Sequence, residues 1–298
     1  MITASHNPPE YNGYKIYDRY GCQCVKRDTD EIIKHISRIW IMDETTDEDE
    51  PEEVSERIHL IGNEVDEAYY KELASVELAP LLLDYLLSRK SQAGALPENG
   101  IVFDSIVTGD IGKRICRKYK VEAESTLTGF KYIGDKIREY GDDKTFLFGY
   151  EESCGYMIKD FTRDKDGVQA AILTAEMADC YKSKGMTLID ALEALYEEFG
   201  HVNESLESKD FAGTDAGLQM QRYVEKYRKG DVTEIEGRKV VAKEDYLVSK
   251  RFNADGSVEY LDLPKSNVLK FILEDGSWTA IRPSGNEPKV KIYRCMWE

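Results

Sequence analysis

No run of apolar residues in this 298-residue chain approaches the ~20 that a membrane-spanning helix needs. Its amino end has neither a basic stretch nor an apolar core ahead of a cleavage site, so it does not read as a secretory signal. Together these absences argue against a membrane partner and predict a cytosolic chain. Cysteine is also sparse. Cys22, Cys24, Cys116, Cys154, Cys180 and Cys295 are scattered and form no C-x-x-C pair, which excludes a disulfide framework and predicts reduced thiols. Positive charge falls short as well: 40 Lys and Arg stand against 57 Asp and Glu, a net charge of -17. Such a surface repels nucleic-acid phosphates, because binding them requires compensating cations. Any phosphate this chain holds must therefore be gripped by a local basic cluster working against the field of the whole molecule.

What is present is the texture of a folded chain. Hydrophobic residues make up 41% and lie in short runs, and the length suits about two domains. An acidic run, DETTDEDEPEE, reads as a solvated helix flank or loop. After it, EVDEAYYKELASVELAPLLLDYLLSRK predicts two helices, with Pro80 placed to open the second, where a proline sacrifices no hydrogen bond. From Gly100 the pattern alternates: strand IVFDSIVTG, helix GKRICRKYK, strand FLFGYEES, then helix DGVQAAILTAEMADCYKSKG with apolar spacing at Val168, Ile172, Ala175 and Ala178. Thr187 is a fitting N-cap with Asp190 three residues on. This alternation predicts an α/β layer with a largely parallel sheet. Beyond Val202, a helix around GLQMQRYVEKYRK and β runs on either side of an Asp-Gly turn predict an antiparallel α+β module.

Three stretches carry chemistry-bearing residues. In TASHNPPEYNGYK, Ser5 is followed by His6 and Asn7, stiffened by Pro8 and Pro9, and the chain then turns toward Lys15. That is either a surface turn or a rigid presentation of one hydroxyl, which needs a base or a transferable group to act as a nucleophile. GYEESCGY offers Glu151, Glu152 and Ser153 at a strand end, where ionised carboxylates could accept hydrogen bonds from sugar hydroxyls or simply face water. In RPSGNEPK, Arg282 and Lys289 flank a turn of Pro283, Ser284, Gly285 and Asn286, so backbone N–H groups, a hydroxyl and two cations can converge on one anion. Weaker signals lie between. TGFKYIGDK sets Thr128, Gly129, Phe130 and Lys131 in a loop before a helix, and TRDKDG sets Arg163 and Lys165 just ahead of another helix start; either is an anion site or merely a cap.

In this order the motifs resemble those of the alpha-D-phosphohexomutases, the family of phosphoglucomutase and phosphomannomutase, and most of all its bacterial phosphoglucomutase branch, which includes phosphopentomutase-like members. The resemblance implies a remnant of a four-domain α/β enzyme: residues 1–77 as part of the first domain with the phosphoserine loop, 78–201 as the α/β sugar-binding third domain, and 202–298 as the C-terminal phosphate-binding domain. It further implies interconversion of hexose 1-phosphate and hexose 6-phosphate through a phosphoserine and a bisphosphate. Ser5 would carry the phosphoryl group, and through that phosphate would be a metal ligand, with His6 and Lys15 beside it and Lys15 placed for proton transfer. Glu151 and Ser153 would meet the sugar hydroxyls, helped by Thr128, Gly129, Phe130, Lys131, Arg163 and Lys165. Arg282, Ser284, Gly285, Asn286 and Lys289 would clamp the non-reacting phosphate, Asn286 standing where the family usually has threonine. Mg²⁺ is the implied cofactor, glucose 1,6-bisphosphate the activator and small sugar phosphates the partners.

This sequence departs from the family pattern in two places. The chain starts inside the strand that leads to the serine loop, so Met1 is expected to be an internal methionine of a longer parent. Between YYKELAS and APLLLDYLL the family carries a second domain and a metal loop of the form D-G-D-x-D-R. No such motif occurs here; the nearest acidic spacing, Asp164 with Asp166, belongs to RDKDG. Phosphoryl transfer depends on neutralising charge on the equatorial oxygens, so catalysis by this chain is expected to fall by orders of magnitude. The alternatives are a remnant that binds sugar phosphate without turning it over, a phosphopentomutase-like preference, or a chain without a stable fold whose exposed strand edges invite aggregation.

Overall fold

A computed structural model describes residues 2–3, 13–18, 21–36, 78–213, 215–285 and 287–298. The helix expected ahead of Pro80 lies outside the described residues, as do Ser5, His6 and Asn286. At the amino end, β1 (Ile2–Thr3) and β2 (Gly13–Tyr14) pair antiparallel, Thr3 opposite Gly13, and so bracket the Ser5 stretch in sequence. Helix α1 (Lys26–Ile36) follows.

The α/β unit runs α2 (Leu78–Gln92), β3 (Gly100–Ser105), α3 (Ile111–Tyr119), β4 (Glu122–Thr126), α4 (Phe130–Tyr140), β5 (Thr145–Glu151), β6 (Gly155–Met157), α5 (Gly167–Ser183) and α6 (Leu188–Phe199). The sheet order is β4-β3-β5-β6, with β3 parallel to both neighbours and β6 antiparallel to β5. Every residue of β3 is buried, as a parallel strand covered on both faces requires. In α2, Leu81, Leu82 and Leu83 follow one another around the helix, so they cannot share one face, and all three are fully buried. Pro80 sits in its first turn. Thr187 and Asp190 form the reciprocal capping box at the start of α6.

Helix α5 forms where the spacing predicts it but turns a different side inward. Val168 and Ile172 are 70% and 65% exposed, while Ala170 and Met177 are buried and Leu173 and Tyr181 pack on the core. The helix is apolar on nearly every side, so periodicity alone does not select the buried face.

The C-terminal part contains β7 (Val202–Asp210), α7 (Ala216–Lys229), β8 (Glu234–Ile235), β9 (Arg238–Asp245), β10 (Lys250–Asn253), β11 (Val258–Tyr260), β12 (Leu269–Leu273), β13 (Trp278–Pro283) and β14 (Lys289–Trp297). Its strands pair antiparallel in the order β11-β10-β9-β12-β13-β14-β7, with β8 beside β9. The Asp275-Gly276 turn joins β12 to β13; Gly276 takes φ +87°, open to glycine at no steric cost, and Ser277 donates its N–H to the Asp275 carboxylate. Strand β7 begins at Val202, and no gap separates it from the α/β unit. Trp278, Tyr293, Cys295 and Trp297 pack into one core with Leu87, Val107 and Ile111. Fully burying side chains of this size stabilises by about 1.5–3 kcal/mol each, so the seam contributes to holding the two parts together.

Candidate functional site

The hairpin of β5 and β6 sets out the first group of candidate residues. Glu151 pairs with Gly155 across it, leaving Glu152, Ser153 and Cys154 to make the turn. Cys154 takes φ +56° and Ser153 is exposed, so the turn presents its tip to solvent. Glu151 points inward at 5% exposure and accepts the backbone N–H of Gly129. Burial pushes its carboxyl up to about 7, and the charge of Glu152 adds to that; the Gly129 N–H, Lys165 and Arg282 pull the other way. Glu152 is braced from beneath. One of its oxygens accepts the Ser105 hydroxyl at 2.9 Å and the Thr108 hydroxyl at 3.4 Å, both from the carboxyl end of β3. Gly155 must be glycine here, since a Cβ would stand 2.6 Å from the Phe130 ring.

That contact locks the hairpin to the start of α4. Gly129 is its N-cap at φ +120°, with no side chain capping the helix, and its own N–H goes to Glu151. Phe130 and Lys131, expected in the loop, belong to the first turn of the helix instead. The Phe130 ring enters the core beside Phe103 and Ile133, an apolar ring being far more stable there than in water. Lys131 is half-buried beside Arg282; burial lowers its proton affinity and the Arg282 charge lowers it further. Thr128 Oγ1 is buried with no hydrogen-bond partner, a hydroxyl with a bond still to make.

Arg282 lies one residue before the end of β13 and donates at 3.5 Å to the Tyr293 hydroxyl. The following turn is closed by the Ser284 N–H donating to the Lys289 carbonyl at 2.8 Å, with Gly285 exposed at its tip. Lys289 pairs with Glu287 at 2.8 Å, and the charge of Arg282 acts on Lys131. In the RDKDG stretch, the start of α5 is capped by its own Asp166, which accepts the N–H groups of Val168 and Gln169. Those donors are spent on a carboxylate, and this helix end is a cap. Lys165 is exposed and its stem lies against Gly155.

The structure thus gathers Thr128, Gly129, Lys131, Glu151, Lys165 and Arg282 and turns Phe130 inward. Lys15 is half-buried in the amino-terminal piece, which docks on α4 and the RDKDG stretch. Tyr17 donates to Asp164 at 2.8 Å, Arg138 pairs with Asp18 at 3.2 Å and Arg27 with Asp135 at 3.4 Å. Cys22 is buried against Gly134, and the Arg163 backbone lies on the same glycine. A cavity of about 350 Å³ lies beside Glu151 and Glu152, walled by Leu78, Tyr150 and Tyr156. Sequence reasoning left Ser105 and Thr108, which brace Glu152, out of account. Their signal was the carboxyl end of a central parallel strand, where open α/β sheets bind ligands. Among the described residues no three His, Cys, Asp or Glu side chains come together to hold a metal ion, so the Mg²⁺ implied by the resemblance finds no fitting donor set there.

The family model described as phosphoglucomutase/phosphomannomutase, alpha/beta/alpha domain III, matches residues 76–199, and that of domain I matches residues 1–40. The chain belongs to the phosphoglucomutase/phosphomannomutase family. Among curated relatives, the phosphoglucomutase of Staphylococcus haemolyticus is 38% identical over 221 residues, 74% of this chain and 39% of that protein. The phosphoglucomutase of Staphylococcus aureus (strain MRSA252) is 36% identical over 218 residues, again covering 39% of its length. This member of the family therefore spans about two fifths of the curated relatives it matches. Among solved structures, the open form of pp63/parafusin, a phosphoglucomutase from Paramecium, aligns with a TM-score of 0.51 at 19% identity, covering 75% of this chain and 37% of that one. That likeness supports the phosphohexomutase-type fold: a partly parallel α/β sheet joined to an antiparallel one. No described helix is long and apolar enough to cross a membrane.

Proposed function

We propose that this chain carries a hexose-phosphate site of the phosphohexomutase kind, at which hexose 1-phosphate and hexose 6-phosphate are interconverted through a phosphoserine at Ser5 and a bisphosphate intermediate. The observation that carries the reading is the meeting of groups from the middle of the chain and from its C-terminal sheet. Glu151, the hydrogen-bond acceptor for sugar hydroxyls, shares its surroundings with Lys131 and Arg282, adjacent cations suited to a phosphate. In this scheme Glu151 and Ser153 orient the sugar, with Thr128 and the Gly129 loop beside them. Arg282 holds the non-reacting phosphate together with the Ser284, Gly285 and Asn286 turn, while Lys131, Lys165, Arg163 and Lys289 contribute positive charge. Ser5 passes its phosphoryl group to a sugar hydroxyl oxygen, and His6 and Lys15 lie beside it, Lys15 a candidate for proton transfer. The corresponding division is a partial first domain over 1–77, a sugar-binding unit over 78–201 and a phosphate-binding unit over 202–298, acting in the cytosol on small sugar phosphates with glucose 1,6-bisphosphate as activator.

The absence of a D-G-D-x-D-R motif from this sequence favours a second reading: a site that binds sugar phosphate and turns it over slowly or not at all. A coupled assay of glucose 1-phosphate to glucose 6-phosphate, with Mg²⁺ and a trace of the 1,6-bisphosphate, separates the two. Turnover lost in Ser5→Ala supports the mutase, and binding without turnover supports the second reading. Activity that survives Ser5→Ala removes the phosphoserine from the account.

A further inference from the structure

Residues 105–108, at and just past the carboxyl end of β3, touch both the Glu152 turn and the end of β4 that leads to Thr128. The Ser105 hydroxyl, wholly buried, donates to Glu152 and lies 2.9 Å from the Thr108 hydroxyl, which also reaches Glu152. The Ile106 N–H donates to the Thr126 carbonyl at 2.8 Å, just ahead of Thr128 and Gly129. The Ile106 carbonyl accepts Lys270 Nζ at 2.8 Å. One short segment therefore holds both the GYEES hairpin and the TGFK loop, and a lysine from the C-terminal sheet holds the segment.

Lys270 is an unusual group to find there. It is 6% exposed, stands on β12 opposite Ala280 of β13, two positions before Arg282, and its ammonium lies 3.9 Å from the centre of the Trp278 ring. A buried ammonium is costly unless it is paired. Here the Ile106 carbonyl and the Trp278 face receive it, with Asp110, Glu244 and Asp104 supplying opposite charge nearby and Lys113 opposing. The Trp278 indole in turn donates to Asp110 at 2.8 Å. An apolar residue would seal the same seam without that cost, but it would not fix the register of one sheet on the other, because dispersion has little direction and a charged hydrogen bond has much.

We propose that Lys270 and Ser105 are positioning residues: together they set the separation between the Glu151 loop and Arg282, and so the length of sugar phosphate that can span them. This rests on the hexose-phosphate reading of the site. Neither residue touches the ligand. Their effect is confined to ligands long enough to engage both loops, whereas inorganic phosphate engages the Arg282 side alone.

The test is calorimetric titration of the full chain with glucose 6-phosphate and, separately, with inorganic phosphate, for the natural protein, Lys270→Met and Ser105→Ala. The expected result is an affinity for glucose 6-phosphate about tenfold weaker in each variant, with inorganic phosphate held within about twofold. Should Lys270→Met fail to fold, Ser105→Ala carries the test, since it removes a single buried hydroxyl. Unchanged sugar-phosphate affinity in the variants overturns the proposal, as does an equal loss for both ligands, which marks a merely structural role. If the natural chain binds inorganic phosphate and gains nothing from the sugar, the hexose-phosphate reading fails first and this proposal with it.

Discussion

Replacing Glu151 with glutamine isolates the energetics of the site. Burial, with the charge of Glu152, raises this carboxyl from 4.5 to about 7. At about 1.4 kcal/mol per tenfold change in proton affinity, ionising it in the folded chain costs about 3 kcal/mol relative to the unfolded chain. The sign follows from proton counts. Between 4.5 and about 7 the folded state holds a proton that the unfolded state has lost, so stability is full below 4.5 and falls as pH rises toward about 7. In Glu151→Gln the amide oxygen still accepts the Gly129 N–H, and nothing titrates. Urea unfolding of both proteins across that range is expected to show the variant gaining on the natural chain with rising pH, by about 3 kcal/mol in all. Parallel stability profiles would refute the reasoning, because they would mean that Glu151 ionises as freely in the fold as out of it.

Other changes test the packing around the site. Gly112→Ala would place a Cβ 1.9 Å from the hydroxyl of the buried Tyr150 and is expected to cost about 1–3 kcal/mol in thermal or urea unfolding. In contrast, Gly217→Ala on α7 meets open space and is expected to stabilise by about 0.5–1 kcal/mol. Asp166→Ala strips the cap from α5 and should cost about 1 kcal/mol at neutral pH. The hydrogen bonds from Gln169 and Val168 hold this carboxyl below 3.8, so that contribution is present above 3.8 and disappears on further acidification, which an unfolding series toward low pH reads directly. Leu83→Ala, at a fully buried position, is expected to lose about 2–5 kcal/mol and lower the melting temperature accordingly.

The features that were legible in the sequence depend on neighbours along the chain. The Thr187–Asp190 box, the Asp275-Gly276 turn and the Ile101–Phe103 apolar run of β3 are local, and each lies where the sequence puts it. Features that depend on distant partners were harder to read. Phe130 looks like a loop residue among polar neighbours, but its ring is drawn inward by Phe103 and Ile133. Lys270 alternates with Leu269, Phe271 and Leu273 as an outward residue of a half-buried strand should; it is buried because the segment after β3 and the Trp278 ring cover that face. The inward side of α5 is likewise set by what α2 and α6 leave uncovered, and Val168 and Ile172 face out despite their spacing.

The central claim is that the Glu151 loop and the Arg282 turn hold one sugar phosphate between them. Amide hydrogen exchange on the whole chain, with and without saturating glucose 6-phosphate and no added metal, tests it most directly. The account predicts slowed exchange in both segments at once, at residues 128–131 and 151–153 and at residues 282–285. Slowing in one segment alone, or in neither, would contradict it.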